Sequence, residues 1–180
     1  MKEKRTHILL LITIALTLVS FITVFRSSTP ARAAVSISGL HVSGNQLMNG
    51  SNQALRLFGV NRSGTEYMCT TGSSIFDGPN DSTSVNAIAS WNTNAVRVSL
   101  NEDCWLGING FPAGGTTAAQ YQQAIVNYVN LLNSTGLVAI LDLHWNAPGS
   151  AQATAQQIMP DADHAPAFWT SDVARCTGQR

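Results

Sequence analysis

Polar residues able to do chemistry fall in four short groups, and three of them directly follow apolar runs. They are Asn61-Arg62-Ser63-Gly64-Thr65-Glu66-Tyr67, Asn101-Glu102-Asp103-Cys104-Trp105, His144-Trp145-Asn146 and Asp161-Ala162-Asp163-His164. Carboxyl groups such as Glu66 and Glu102 can move protons or accept from hydroxyls. Imidazole and amide groups also bond hydroxyls, and an indole can stack on the apolar face of a sugar ring. His144 beside Trp145, with Trp105 and Trp169 elsewhere, therefore suits a carbohydrate ligand, although each indole equally suits a core position. Asp142, His144, Asp161, Asp163 and His164 offer a second chemistry, because such side chains ligate Zn²⁺. No predicted helix carries a histidine pair four residues apart, and residues 161–164 read more simply as a solvated loop rim. No metal and no cofactor is expected. A phosphate-binding glycine loop and a G-x-S-x-G elbow are both missing, so nucleotide and serine-esterase chemistry have no foothold.

Arg97 is the most informative single residue. It interrupts an apolar run in which Val96, Val98 and Leu100 alternate with Ala95, Arg97 and Ser99. A guanidinium on the inside of a sheet needs a carboxylate partner. One candidate is Asp142 on a neighbouring strand, which makes a structural pair. The other is an active-site carboxylate that Arg97 orients and that the chain itself does not contain. His144 shares the face of Asp142, two residues away.

The elements that must hold these groups are legible as alternating strands and helices. Leu40–Val42 and Gln46–Met48 flank Ser43-Gly44-Asn45 as a hairpin, and residues 54–60 read as a strand. A short helix is expected over 84–91, a strand over 94–100, and a long helix over 117–134 with Tyr121, Ile125, Tyr128 and Leu132 on one face. Gly136 supplies the stop, and residues 137–143 make a third apolar strand. Parallel βα units with long loops after the strands point to an α/β fold, a (β/α)8 TIM barrel, whose active site lies at the strand C-terminal ends. A whole barrel has eight units, so three units make a truncated one.

Charge and hydropathy bound the setting. Both lysines, Lys2 and Lys4, precede an apolar or hydroxyl run from Ile8 to Phe25, and Ala31-Arg32-Ala33 follows. That order is expected of a secretory signal over residues 1–33, cleaved after Ala33, with an uncleaved membrane anchor facing outward as the alternative. From Ala34 onward five arginines face nine carboxylates, leaving −4. A lysine-free acidic surface excludes a nucleic-acid partner. Export lets cysteines pair. Cys69 and Cys104 each follow a predicted strand, so they can meet as a disulfide or stay as two buried thiols, and Cys176 is left odd.

Four segments together carry a family resemblance. Gly39-Leu40-His41-Val42-Ser43-Gly44-Asn45, residues 57–66 from Leu57 to Glu66, residues 96–107 from Val96 to Gly107, and Ile140-Leu141-Asp142-Leu143-His144-Trp145 are similar, in order, to secreted cellulases of glycoside hydrolase family 5. The resemblance runs from about Ser36 to Trp169. It implies a (β/α)8 barrel that hydrolyses β-1,4-linked glucan with retention. It also implies that Arg97 contacts the nucleophile and that His144 lines the substrate site, with Trp145, Glu66, Glu102 and Trp105 as further substrate-binding candidates.

Retention requires two carboxyl groups roughly 5 Å apart. In the family these glutamates end strands 4 and 7, and the sequence stops before strand 4. Asn101-Glu102 imitates the family's asparagine–glutamate pair but follows strand 2, and Glu66 follows strand 1. Both read as loop anchors or sugar-binding groups, so no catalytic glutamate is assigned. Residues 171–180 depart from both helical spacing and the family pattern, so residues 34–180 are expected to be the N-terminal part of a catalytic barrel, inactive and poorly folded alone, and monomeric if completed. A non-catalytic glucan-binding module using Trp105, Trp145 and His144 is the competing reading, and a metal-dependent hydrolase the third.

Overall fold

The computed structural model describes residues 38–171. The expected export signal, Ala34, Cys176 and the tail beyond Ser171 lie outside the described residues. No helix among the described residues is long and apolar enough to cross a membrane.

An antiparallel hairpin, β1 (His41–Ser43) and β2 (Gln46–Met48), precedes a parallel sheet of three strands in the order β3 (Gly59–Arg62), β4 (Ala95–Asn101) and β5 (Val138–Trp145). Between them come α1 (Met68–Thr71), α2 (Ser82–Ser90), α3 (Glu102–Leu106) and α4 (Ala118–Ser134), and α5 (Ala165–Thr170) follows β5. Among the described residues β3 and β5 each pair on one side only, so the sheet is an open α/β arc and not a closed barrel.

Alternation decides which side chains meet. Val96, Val98 and Leu100 are fully buried against Tyr121, Ile125, Tyr128, Val129 and Leu132 of α4, the face that helical spacing predicts. Asn61, Arg97, Ile140 and Asp142 take the opposite face, in register across the three strands. The helix that braces this sheet is well begun. Thr117 caps it, its hydroxyl accepting from the Gln120 amide at 3.2 Å, while the Gln120 side chain accepts from the Thr117 amide at 2.8 Å. Thr117→Ala is expected to lower stability by about 1 kcal/mol, read as a shifted urea midpoint. A variant matching the parent would show that packing alone sets the start of α4.

The first core strand differs from expectation. Of the expected strand 54–60 only Gly59 and Val60 lie in β3; among residues 54–58, Ala54 makes one isolated bridge to Met48, and pairing with β4 begins at Gly59. The reason lies in two residues. A Cβ at Gly59 would sit 2.1 Å from the Ala95 carbonyl oxygen, so close approach to β4 is possible only there. Before it, the Asn94 side chain replaces a strand partner, accepting from the Phe58 amide at 2.6 Å and donating to the Arg56 carbonyl at 2.9 Å.

Two helical turns also replace expected loops. Asn101 caps α3 by accepting from the Cys104 amide at 3.1 Å, and Glu102 and Asp103 occupy its first turn, where the helix dipole favours negative charge. Cys69 of α1 and Cys104 of α3 are joined by a disulfide, which ties the loop after β3 to the loop after β4.

Candidate functional site

The C-terminal ends of the parallel strands gather two distinct polar groups. The first lies on the open face of the sheet. Arg97 Nη2 donates to Asp142 Oδ2 at 2.5 Å, and His144 Nδ1 lies 2.9 Å from the same oxygen. The His144 contact is explained by the sheet. Pairing of β4 with β5 shifts register between Leu100 and Asn101, so Asn101 faces Trp145. A bulge of this kind re-aims a side chain at a strand end. Because a carboxylate only accepts, His144 Nδ1 donates to Asp142. The close approach of Arg97 Nη2 to Nδ1, 3.2 Å, is then a consequence of their shared oxygen.

Arg97 therefore has its structural partner in Asp142, the first of the two pairings that the sequence leaves open. Its side chain remains 34% exposed, so the guanidinium also faces outward from the open sheet. Trp145, which follows His144 in the chain, lies 6.3 Å from the ring of Tyr67, tilted by 44°. Tyr67 is held from behind: its hydroxyl donates to Asp77 Oδ2 at 2.6 Å, and Arg62 pairs with the other oxygen of Asp77. The Tyr67 and Asp77 bond lowers the Asp77 pKa below the usual carboxylate range and raises that of Tyr67.

The second group lies beneath the rim. Glu102 and Asp103 at the head of α3 are fully buried, and the Asp161 side chain is 3% exposed. Glu102 Oε2 accepts from the Ala147 amide at 3.4 Å, and His164 Nδ1 lies 3.8 Å from the same oxygen. Asp103 accepts from the Ala153 amide at 2.9 Å and from Asn109 Nδ2 at 3.1 Å. Asp161 Oδ1 accepts from the amides of Asp163 and His164, at 3.1 and 2.7 Å. Burial, reinforced by the neighbouring Asp161, pushes Glu102 up to about 8. Burial also raises Asp103, against the pull of its amide and Asn109 donors. For Asp161 burial pushes upward but loses to the His164 amide and Glu102, so its pKa is lowered.

Several sequence expectations are corrected by these positions. Trp105 is fully buried and cannot stack on a sugar; it packs edge-on against Tyr121 and Phe168, and its indole N–H donates to Ser171 Oγ at 2.7 Å. The turn of α3 aims it inward, where a loop would have left it free. Glu66 and Glu102 are loop anchors and not sugar-facing groups. Glu66 is 6% exposed and accepts from the Gly64 amide at 2.7 Å. Asp161 is not part of a solvated rim, because its carboxylate is buried and accepts from the amides leading into α5; Ala162 and Asp163 fit that description, Asp163 accepting from Gly149. The residues proposed as one zinc set separate: Asp142 and His144 lie with Arg97, Asp161 and His164 with Glu102, and Asp163 with the Gly149 amide. The buried acid group itself was not foreseen. Its sequence signal was two acidic residues opening α3 and Asp161 three residues before His164, in a stretch without lysine.

A profile described as cellulase, glycosyl hydrolase family 5, matches residues 48–178. No curated protein sequence matches. Among solved structures, the catalytic domain of Thermobifida fusca endoglucanase Cel5A is similar at 18% identity and a TM-score of 0.43, covering 63% of this chain and 32% of that one. A variant of that domain in complex with cellotetraose is similar at 20% identity with the same coverage and TM-score. Cryptococcus neoformans sterylglucosidase 1 with tris shares 15% identity at a TM-score of 0.43, covering 59% of this chain and 17% of that one. The chain thus spans about a third of the length of the endoglucanase domains it matches.

Proposed function

The chain belongs to the cellulase family, glycosyl hydrolase family 5, and from that premise we propose that Arg97, Asp142, His144 and Trp145 hold β-1,4-linked glucose units for retaining hydrolysis. The observation that carries this reading is the grouping of Arg97, Asp142 and His144 on one face of β4 and β5, with Trp145 following His144 in the chain and paired with the Tyr67 ring. In it His144 Nε2 accepts a sugar hydroxyl and Trp145 stacks on a ring face. Arg97 acts as the positioning residue for the carboxylate nucleophile. Export through residues 1–33 and a monomeric form of the mature protein belong to the same proposal.

Retention needs two carboxyl groups roughly 5 Å apart, both reaching the sugar. Among the described residues Asp142 is the one carboxylate in the Arg97 group, while Glu66 and Glu102 are buried in loop-anchoring roles. This reading therefore gives the chain sugar placement, with acid and nucleophile supplied by other residues. Purified chain is expected to release no reducing sugar from soluble cellulose derivatives. Tryptophan fluorescence should nevertheless report cellotetraose binding, weakened about two- to tenfold in Trp145→Ala, the worth of one stacked ring. Sugar release abolished by Glu66→Gln or Glu102→Gln would overturn the assignment. Binding indifferent to both Trp145→Ala and His144→Ala would remove the site.

A further inference from the structure

A neutral imidazole offers a sugar either a donor or an acceptor at Nε2, and its other nitrogen decides which. At His144 that other nitrogen is engaged. Nδ1 lies 2.9 Å from Asp142 Oδ2, and a carboxylate oxygen only accepts, so Nδ1 carries a proton. Arg97 Nη2, 3.2 Å from Nδ1, is itself a donor and is no partner for that proton. Were Nδ1 bare, Asp142 Oδ2 would face its lone pair at the shorter of the two distances. The carboxylate is held in turn. Arg97 pairs with Ile140 and Ser99 with Asp142, so Arg97 and Asp142 are diagonal neighbours across β4 and β5. Arg97 Nη2 donates to the same Oδ2 at 2.5 Å, and strand alternation returns His144 to this face two residues later.

From this geometry we propose that Asp142 is the positioning residue of the sugar site: its Oδ2 holds neutral His144 in the Nδ1–H tautomer, so that Nε2 is presented as an acceptor. The inference rests on the reading of His144 as a sugar-binding group, and it adds what that group selects. An acceptor at Nε2 takes a hydroxyl that donates, and gains nothing from a ring or glycosidic oxygen, which can only accept. The glucan therefore meets His144 through a free hydroxyl. Asp142 acts through its two neighbours, fixing the tautomer of His144 and the direction of Arg97 with one atom. Asparagine at this position keeps the shape and reverses the polarity. Its single carbonyl oxygen goes to Arg97, its amide turns toward Nδ1, and the imidazole proton moves to Nε2. An aspartate–histidine pair in a hydrolase triad answers the same exchange in this way, with its geometry intact and the wrong tautomer.

The test reads the tautomer directly, on the whole chain labelled with ¹⁵N. Long-range ¹H–¹⁵N correlation separates protonated from bare ring nitrogens, and the pattern missing from His144→Ala identifies His144 among the four histidines. In alkaline buffer, where imidazole is neutral, the parent should show a protonated Nδ1 and a bare Nε2 at His144. Asp142→Asn should exchange the two, and should weaken cellotetraose binding, followed by tryptophan fluorescence, about tenfold. Asp81→Asn, which removes a carboxylate at the exposed cap of α2, should match the parent in both measurements. A proton on Nε2 in the parent, alone or together with one on Nδ1, overturns the assignment without recourse to any variant. A tautomer unchanged in Asp142→Asn overturns it equally. A parent that has the assigned tautomer and binds no cellotetraose upholds the role of Asp142 toward His144 and overturns the sugar reading instead.

Discussion

Replacing Cys69 and Cys104 together by alanine should cost about 4 kcal/mol of stability, the chain-entropy value for a bridge of this span. The two half-cystines are 35 residues apart, so the bridge removes a long closed loop from the freedom of the unfolded chain. Both are essentially unexposed. The disulfide also joins α1 to α3, and so fixes the loop carrying Tyr67 to the helix that carries Glu102 and Asp103. A domain of this size has about 5–15 kcal/mol in total, so the loss consumes a large share. Urea unfolding of the oxidised chain against the double variant measures it. A difference under about 1 kcal/mol would mean that buried thiols and packing suffice.

The parts of this fold legible in the sequence are those governed by local period. Alternation through 95–101 separates Arg97 from Val96 and Val98, and the Asp142-x-His144 spacing returns both polar groups to the face of Arg97. Helical spacing of Tyr121, Ile125, Tyr128 and Leu132 marks the buried face of α4, to which the structure adds Val129. Period says nothing of direction at an element's end. Trp105 has the composition of a sugar platform, yet one helical turn capped by Asn101 sends its ring inward to Phe168. Residues 54–58 have the apolar character of a strand, but Asn94 takes up their backbone groups and Gly59 decides where pairing begins. The Glu102–Asp161 pair was hidden for a different reason. Carboxylates are assigned to the surface by default, and only the packing of α5 against α3 buries these two.

That burial has a consequence for pH. Stability should fall steadily as pH rises between 4.5 and about 8. Folded Glu102 keeps its proton until about 8, because burial and the adjacent Asp161 oppose its charge, whereas the unfolded chain gives it up near 4.5. Between those values the folded state binds more protons than the unfolded state. Raising the pH therefore favours unfolding, by up to about 1.4 kcal/mol per pH unit. Asp103, also raised by burial, acts in the same direction from 3.8 upward. Asp161 acts oppositely, but its lowered pKa confines that contribution to pH below 3.8, outside the window. Glu102→Gln separates this group from every other titrating residue. Glutamine keeps the shape, cannot ionise, and its amide can donate toward Asp161 as the carboxylic proton does. The two proteins should therefore have similar urea midpoints near the acid end, and the variant should be the more stable at the alkaline end. If the parent's slope persists unchanged in Glu102→Gln, the proton does not reside on Glu102.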